Sequence, residues 1–74
     1  LEDVDTSIAD AQNAIDSAYK ANAAKYELNA LTRAESLLRD AQKAKAEKRG
    51  LESLRLAYEA KYEAQLAESR ARQQ

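Results

Sequence analysis

The spacing of apolar residues along the chain predicts three helices, the first from about residue 4 to 21. Its apolar and small residues recur at alternating intervals of three and four, which is the pattern of a coiled-coil seam. We define the helix-one seam by its members: Leu1, Val4, Ile8, Ala11, Ile15, Ala18 and Asn22. Asp3 and Asp5 lie at the start, where acidic side chains compensate the helix dipole. We expect Asn22 to end this helix or to cap the next, because its side chain readily bonds the local backbone.

The second helix is predicted over residues 25–48 and carries a broad apolar surface. One stripe consists of Leu28, Leu31, Ala34, Leu38, Ala41 and Lys45, and a second consists of Ala30, Leu37 and Ala44, with Tyr26 near its start. The two stripes merge into an apolar arc of roughly 200°, wider than the stripe of an ordinary surface helix. A helix with so wide an arc contacts two neighbours, so we predict that it is the middle element of the domain.

The only glycine, Gly50, marks the predicted end of the second helix. Glycine takes the left-handed conformation at a helix end more readily than any other residue. We therefore predict that Gly50 reverses the chain and that helices two and three form an antiparallel hairpin. On this interpretation, replacing Gly50 with valine should cost on the order of 1 kcal/mol, because valine would be forced to a positive φ.

The third helix, predicted over residues 52–72, has two apolar faces. Alanines recur at intervals of three and four and form the alanine stripe: Ala57, Ala60, Ala64, Ala67 and Ala71, with Ser53 in line. Small side chains let another backbone approach closely, so we expect this stripe to pack against helix two. Roughly 140° around the helix lie larger side chains that follow Leu51. We define the tyrosine strip as Leu54, Tyr58, Tyr62 and Leu66.

The tyrosine strip is the predicted partner-binding site. Tyrosine combines a large contact area with a polar tip, as interface residues do. We expect helix one to cover the strip partly and to leave Tyr62 and Leu66 nearer to solvent, because helix one is short. If helix one packs elsewhere, the whole strip is exposed. The simpler alternative is that the tyrosines only cover the edges of an alanine-rich core.

The composition indicates an all-α fold with a single helical domain over residues 1–74. We predict a three-helix bundle, made of the antiparallel helical hairpin plus a shorter N-terminal helix. Seventeen of the apolar residues are alanine, which contributes far less burial free energy than a large aliphatic side chain. A chain of this length buries only about 60% of its surface on folding. We therefore expect either very close packing of the helix backbones or support from a partner.

The residue types leave little room for catalysis. The chain has no histidine and no cysteine, which removes the usual general base, the commonest metal ligand and any thiolate nucleophile. The acidic start at Asp3 and Asp5 lacks the glycine and glutamate of a calcium loop. Glu59 and Glu63 have no facing set of carboxylates with which to hold two metals. We therefore predict no enzyme activity, no catalytic residue, no cofactor and no metal site.

The charge pattern also limits the partners. A net charge of −1 with both signs interspersed creates no field that would draw in nucleic acid or an anionic bilayer. A basic group, Arg39, Lys43, Lys45, Lys48 and Arg49, lacks interleaved aromatic residues, so compensation of the helix dipole explains it better than phosphate binding. No apolar run approaches the length of a membrane span. Because the chain begins at Leu1 rather than methionine, we expect a processed product, a fragment or an engineered piece.

Residues 8 to 72 resemble a bacterial envelope-lipoprotein family of unknown function. The features that carry the resemblance are a start like IADAQNAI, then Tyr26-Glu27-Leu28 with Ala30, Ala34, Leu38 and Ala41, the Gly50 turn, and the spacing of Leu56, Ala57, Ala60 and Ala64. Members of this family carry an alanine-rich helical hairpin after a signal peptide and a lipidated cysteine. Some precede an OmpA-like peptidoglycan-binding domain. The chain differs from the family at Ala24-Lys25, where a proline or small residue is usual, and at Leu51, where an aromatic residue is usual.

The resemblance implies a location in the periplasm or outer membrane, with membrane attachment only through a possible lipid anchor outside this chain. The preferred hypothesis is a non-catalytic helical interaction or spacer domain that docks a protein partner through Leu54, Tyr58, Tyr62 and Leu66. A second hypothesis is a self-associating coiled-coil segment, in which the helix-one seam pairs between copies. A third is an amphipathic binder of lipid surfaces through the tyrosine strip.

Overall fold

The computed structural model describes residues 3–74, and this part of the chain forms four α-helices without a strand. They are α1 (Val4–Lys20), α2 (Ala23–Tyr26), α3 (Leu28–Ala46) and α4 (Gly50–Arg72). The long helices α3 and α4 are in close contact, and α1 packs on both of them, mainly on α4. The prediction of an all-α helical bundle is confirmed.

The directions of the long helices follow from the contacts between them. Arg33 of α3 pairs with Glu63 of α4, whereas Glu27, just before α3, pairs with Arg70 near the end of α4. Residues near the start of α3 therefore lie beside residues near the end of α4. The two helices form the antiparallel hairpin that the sequence predicts.

Helix α1 begins and ends at polar residues. The carboxylate of Asp3 accepts a hydrogen bond from the backbone N–H of Asp5 at 3.3 Å, which caps the first turn. Asn22 has a φ of 67° and ends α1, and its backbone N–H donates to the carbonyl of Tyr19 at 3.0 Å. Asn22 therefore ends α1, as expected, through its backbone conformation. Its side chain makes no capping hydrogen bond to α2 within residues 3–74. Leu1, the first member of the helix-one seam, lies outside the described residues.

The predicted second helix is divided in two. Glu27 leaves the helical region, with φ −139° and ψ 48°, and separates the short α2 from α3. The prediction of one continuous helix over residues 25–48 was therefore wrong at its start. The break is coupled to packing, since Ala23 of α2 is fully buried and the carboxylate of Glu27 lies 3.7 Å from the Arg70 guanidinium.

The hairpin turn lies where it was predicted, but its left-handed residue is Lys48 rather than Gly50. Lys48 has a φ of 62°, and Gly50 is the first residue of α4. The N–H of Lys48 donates to the carbonyl of Lys45 at 3.0 Å, and that of Arg49 donates to the carbonyl of Ala44 at 2.9 Å. These two bonds form a Schellman motif that closes α3. The role predicted for Gly50 was wrong, because the motif is complete before the chain reaches it.

Lys48→Gly is expected to stabilise the fold by about 0.5–1 kcal/mol, because glycine adopts a positive φ without the steric cost that a Cβ atom brings. Urea unfolding followed by circular dichroism measures the change.

Gly50→Ala is the matched control for Lys48→Gly. A Cβ atom at position 50 would meet no heavy atom of residues 3–74 within 4 Å, and the position is helical. We therefore expect Gly50→Ala also to stabilise, by about 0.5–1 kcal/mol. Destabilisation by Gly50→Ala together with no effect of Lys48→Gly would contradict this assignment of the turn.

The core is built mainly from alanine. Its two largest fully buried apolar side chains are Ile15 of α1 and Leu31 of α3. The buried cluster consists of Ala11, Ala14, Ile15, Ala18, Ala23, Ala30, Leu31, Ala34, Leu38, Ala60, Ala64, Ala67 and Ala71. Since alanine fills little space, the helix backbones must lie close together to leave no cavity.

Two serines are buried among these alanines, and their surroundings differ. The hydroxyl of Ser53 in α4 donates to the backbone carbonyl of Ala41 in α3 at 2.7 Å. The hydroxyl of Ser7 in α1 is also buried, but it has no hydrogen-bond partner in the described part of the chain. Ser53 therefore fastens the two helices of the hairpin, whereas Ser7 carries an uncompensated desolvation cost.

Substituting each serine with alanine should have opposite effects. Ser53→Ala is expected to cost about 1 kcal/mol, because it removes a buried hydrogen bond. Ser7→Ala is expected to stabilise by up to about 1 kcal/mol, because it removes a buried hydroxyl that has no hydrogen-bond partner in the described part of the chain. Thermal unfolding of both variants measures the difference, and equal shifts of the same sign would argue against the assigned environments.

Candidate functional site

Helix α4 uses its two apolar faces in different ways. The alanine stripe is buried along its whole length, from Ala57 to Ala71, as predicted. The tyrosine strip lies on the other side of the helix. There Tyr58 is 50% exposed and Tyr62 is 63% exposed, while Leu54 and Leu66 are half-buried. The alanine face holds the fold together, and the middle of the tyrosine face is exposed to solvent.

Tyr62 is the most exposed residue of the tyrosine strip, as expected, whereas Leu66 is half-buried like Leu54. The helix-one seam residues Ala11, Ile15 and Ala18 are buried in the core. Side chains of α1 also form a surface groove with α4, lined by Asp10, Asn13, Ala14, Ser17, Lys61, Gln65 and Glu68. Tyr58 and Tyr62 form a recess with Leu37 of α3.

The recess beside the tyrosine strip is lined by Leu37, Tyr58, Glu59, Tyr62 and Glu63. Its two carboxylates are paired within the chain. Glu59 accepts a hydrogen bond from Arg55 at 2.9 Å, and Glu63 accepts one from Arg33 at 3.2 Å. The charges at the rim are therefore neutralised locally, and the middle of the recess presents an aliphatic side chain and two aromatic rings.

The perturbed ionisable groups include two clusters on the surface, which belong to ion pairs or hydrogen bonds between side chains. The hydrogen bond from Arg55 lowers the pKa of the Glu52 carboxyl, and the same bond raises the pKa of the Arg55 guanidinium. The hydroxyl of Tyr19 donates to the Glu35 carboxylate at 2.7 Å, and this bond raises the pKa of Tyr19. These contacts stabilise neighbouring helices and helical turns. Neither cluster lies in the recess beside the tyrosine strip.

Two basic residues at and just after the end of α3 pair with acidic neighbours. Lys45 pairs with Asp5 of α1, and Arg49 pairs with Glu47 at 3.1 Å and with Glu52 at 3.5 Å. A second recess, at the start of α3, mixes Lys25, Arg33 and Arg70 with Glu27. Both regions therefore contain side chains of both charges.

The described residues hold no group of three histidine, cysteine, aspartate or glutamate side chains that could bind a metal ion. Within residues 3–74, no helix has the length and apolar character needed to cross a membrane. The most distinctive surface that remains is the tyrosine strip with its recess, and its chemistry is that of contact between apolar and aromatic groups.

Sequence reasoning placed the four strip residues on one helix face, but it missed two neighbours of that face. Leu37 belonged to the predicted apolar arc of the second helix and is half-buried at the recess. Nothing in the sequence pattern indicated that Arg33 would pair with Glu63. Both depend on how α3 and α4 are aligned, and apolar spacing within one helix does not contain that information.

The model of a family described as a domain of unknown function, DUF4398, matches residues 6–74. No curated protein and no solved structure matches the chain.

Proposed function

We propose that this chain, which belongs to the DUF4398 family of domains of unknown function, is a non-catalytic helical interaction or spacer domain of the bacterial cell envelope. It docks a protein partner by helix packing onto Leu54, Tyr58, Tyr62 and Leu66. The observation that carries the proposal is the division of α4 between a fully buried alanine stripe and an exposed tyrosine strip.

The physical support comes from the residues that are exposed. A partly exposed tyrosine ring loses little conformational freedom on binding and buries a large area, which explains the enrichment of tyrosine at protein interfaces. Leu37 of α3 adds an aliphatic side chain to the recess beside the two tyrosines. Because Glu59 and Glu63 already have arginine partners, burying this surface under a partner leaves no isolated carboxylate.

The location is the finer part of the proposal. It rests on the resemblance of residues 8 to 72 to envelope lipoproteins, some of which precede an OmpA-like peptidoglycan-binding domain. On this proposal the parent protein lies in the periplasm or at the outer membrane and is attached through a lipid anchor outside this chain. The bundle then acts as a spacer that carries its docking surface away from the anchor.

The other two hypotheses have less support. Pairing of the helix-one seam between copies would compete with the bundle itself, since Ala11, Ile15 and Ala18 are buried inside it. Asn22, the last member of the predicted seam, lies beyond the end of α1. Binding to an anionic lipid surface through the tyrosine strip would gain little electrostatic attraction, since Arg55 and Arg33 beside the strip are paired with Glu59 and Glu63.

Site-specific photocrosslinking tests the proposal. A photoreactive phenylalanine analogue is introduced at Tyr62 of the protein in bacteria that produce it, followed by irradiation and separation of envelope and cytoplasmic fractions. We expect a crosslinked protein adduct in the envelope fraction, and loss of that adduct in a variant that also carries Leu66→Ser.

Thr32 is the matched control position, since it is exposed on α3 and distant in sequence from the strip. Adducts of equal yield from positions 32 and 62 would reject the site. Adducts confined to the cytoplasmic fraction would reject the envelope location.

A further inference from the structure

We propose that the partner of the tyrosine strip is the same strip on a second copy of this chain. The two α4 helices pair antiparallel about a two-fold axis that passes between Tyr58 and Tyr62, at the level of position 60 along the helix. This inference rests on the proposed function for the choice of surface, and it goes further by naming the occupant.

The spacing of the strip residues carries the argument. Leu54, Tyr58, Tyr62 and Leu66 are each four positions apart, so the order leucine, tyrosine, tyrosine, leucine reads the same in both directions about Ala60. When two antiparallel copies meet at this centre, residue 58 of one copy lies opposite residue 62 of the other. Residue 54 then lies opposite residue 66. A two-fold dimer needs this kind of self-complementary patch, in which residue i contacts j and j contacts i.

The strip also has the shape that helix packing uses. Residues four apart form one continuous ridge along a helix, and two such ridges interdigitate when the helices cross at about −50°. Tyr58 and Tyr62 are at least half exposed at the middle of this ridge, whereas Leu54 and Leu66 are half-buried at its ends. Two copies would therefore meet first through their four central tyrosine rings, which favour offset or edge-to-face contact.

The charges around the strip match a second copy better than a strongly charged partner. The ridge formed by the four strip residues contains no charged side chain. Beside it, Glu59 is paired with Arg55, and Glu63 is paired with Arg33. With a net charge of −1, two copies repel each other only weakly, and the chain has no field that would attract a highly acidic or basic protein. The chemistry that complements this ridge is another uncharged aromatic and aliphatic ridge.

A charge-swap experiment on the purified chain tests both the pairing and its direction. Sedimentation equilibrium is measured for the parent, for Tyr58→Glu with Tyr62→Glu, and for Tyr58→Glu with Tyr62→Lys. Because the patch is small, we expect the parent to form a weak dimer at high concentration. The two-glutamate variant should associate at least about tenfold more weakly, since four like charges would meet.

The glutamate–lysine variant should associate more tightly than the two-glutamate variant, although more weakly than the parent, because exposed ion pairs contribute less than the tyrosine rings they replace. In the antiparallel arrangement, the glutamate at position 58 of one copy would lie opposite the lysine at position 62 of the other, twice per dimer. A parallel arrangement would instead place like charges together. Both variants alter exposed positions four apart on a helix, and circular dichroism checks that the helices remain.

Each outcome decides one point. A parent chain that stays monomeric at every concentration overturns the inference, and equal weakening in both variants overturns the antiparallel arrangement. In the photocrosslinking experiment, an adduct with twice the mass of the protein supports a second copy. An adduct with a different protein, or capture of the purified chain by anionic vesicles, assigns the strip to another occupant. The different-protein adduct would leave the proposed docking function intact.

Discussion

Replacing Leu31 with alanine is expected to lower the free energy of unfolding by about 2–5 kcal/mol. Leu31 is fully buried in α3 and is one of the largest side chains in a core otherwise rich in alanine. Neighbouring alanines have no rotamers with which to fill the space, so we expect the cavity to persist. Since small domains are stable by only about 5–15 kcal/mol in total, this one substitution removes a large share of the stability.

Leu28→Ala is the matched control, because Leu28 lies in the same helix and is 58% exposed. We expect it to change the free energy of unfolding by no more than about 0.5 kcal/mol. Urea unfolding followed by circular dichroism at a fixed protein concentration compares the two variants. Equal losses at positions 28 and 31 would show that the inner face of α3 has been assigned incorrectly.

The contrast between these two leucines shows what periodicity can predict. The sequence pattern placed Leu28 and Leu31 on one apolar stripe, but only Leu31 is in the core. Leu28 is the first residue of α3 and lies about 60° further around the helix than Leu31, towards the edge of the buried face. Nothing in the segment from Ala23 to Tyr26 opposes a continuous helix locally. The break at Glu27 is therefore a property of the tertiary contacts around Ala23 and Arg70, which the spacing of apolar residues does not report.

The prediction for the turn between α3 and α4 fails for a different reason. Glycine is the statistically favoured residue at a left-handed helix end, so Gly50 was the natural choice. The structure places Lys48 there and tolerates its strain, because two backbone hydrogen bonds close the motif. A single lysine in this conformation costs on the order of 1–2 kcal/mol, which the surrounding contacts can outweigh. Local residue preferences predicted that a turn exists here, but they did not predict that Lys48 is its left-handed residue.

The faces of α4 that form the candidate site were easier to predict from the sequence, because they lie on one regular helix. The two faces of α4 follow directly from the spacing of its residues, and the burial of Ala60 and Ala64 beside the exposure of Tyr62 agrees with that reading. The neighbours that α3 contributes to the site could not be predicted in this way. The recess with Leu37 and the pairing of Arg33 with Glu63 require the relative alignment of two helices, which is set by contacts across the hairpin.

The close approach of α3 and α4 leads to the last prediction, Ala64→Leu. Ala64 is fully buried at the centre of the alanine stripe. A leucine side chain there must push the neighbouring backbones apart, and we expect a loss of about 1–3 kcal/mol. For a domain of this size, each kcal/mol lowers the midpoint of thermal unfolding by about 4–8 °C. Differential scanning calorimetry measures the shift.

Ala9→Leu makes the same chemical change at an exposed position of α1 and is the matched control. Because alanine and leucine are both strong helix formers, we expect its midpoint to move by no more than a few degrees. If leucine at position 64 were as well tolerated as leucine at position 9, the helices would not be held at the close spacing that alanine allows. The division of α4 into a packing face and an exposed tyrosine strip, on which the proposed docking depends, would then have no structural basis.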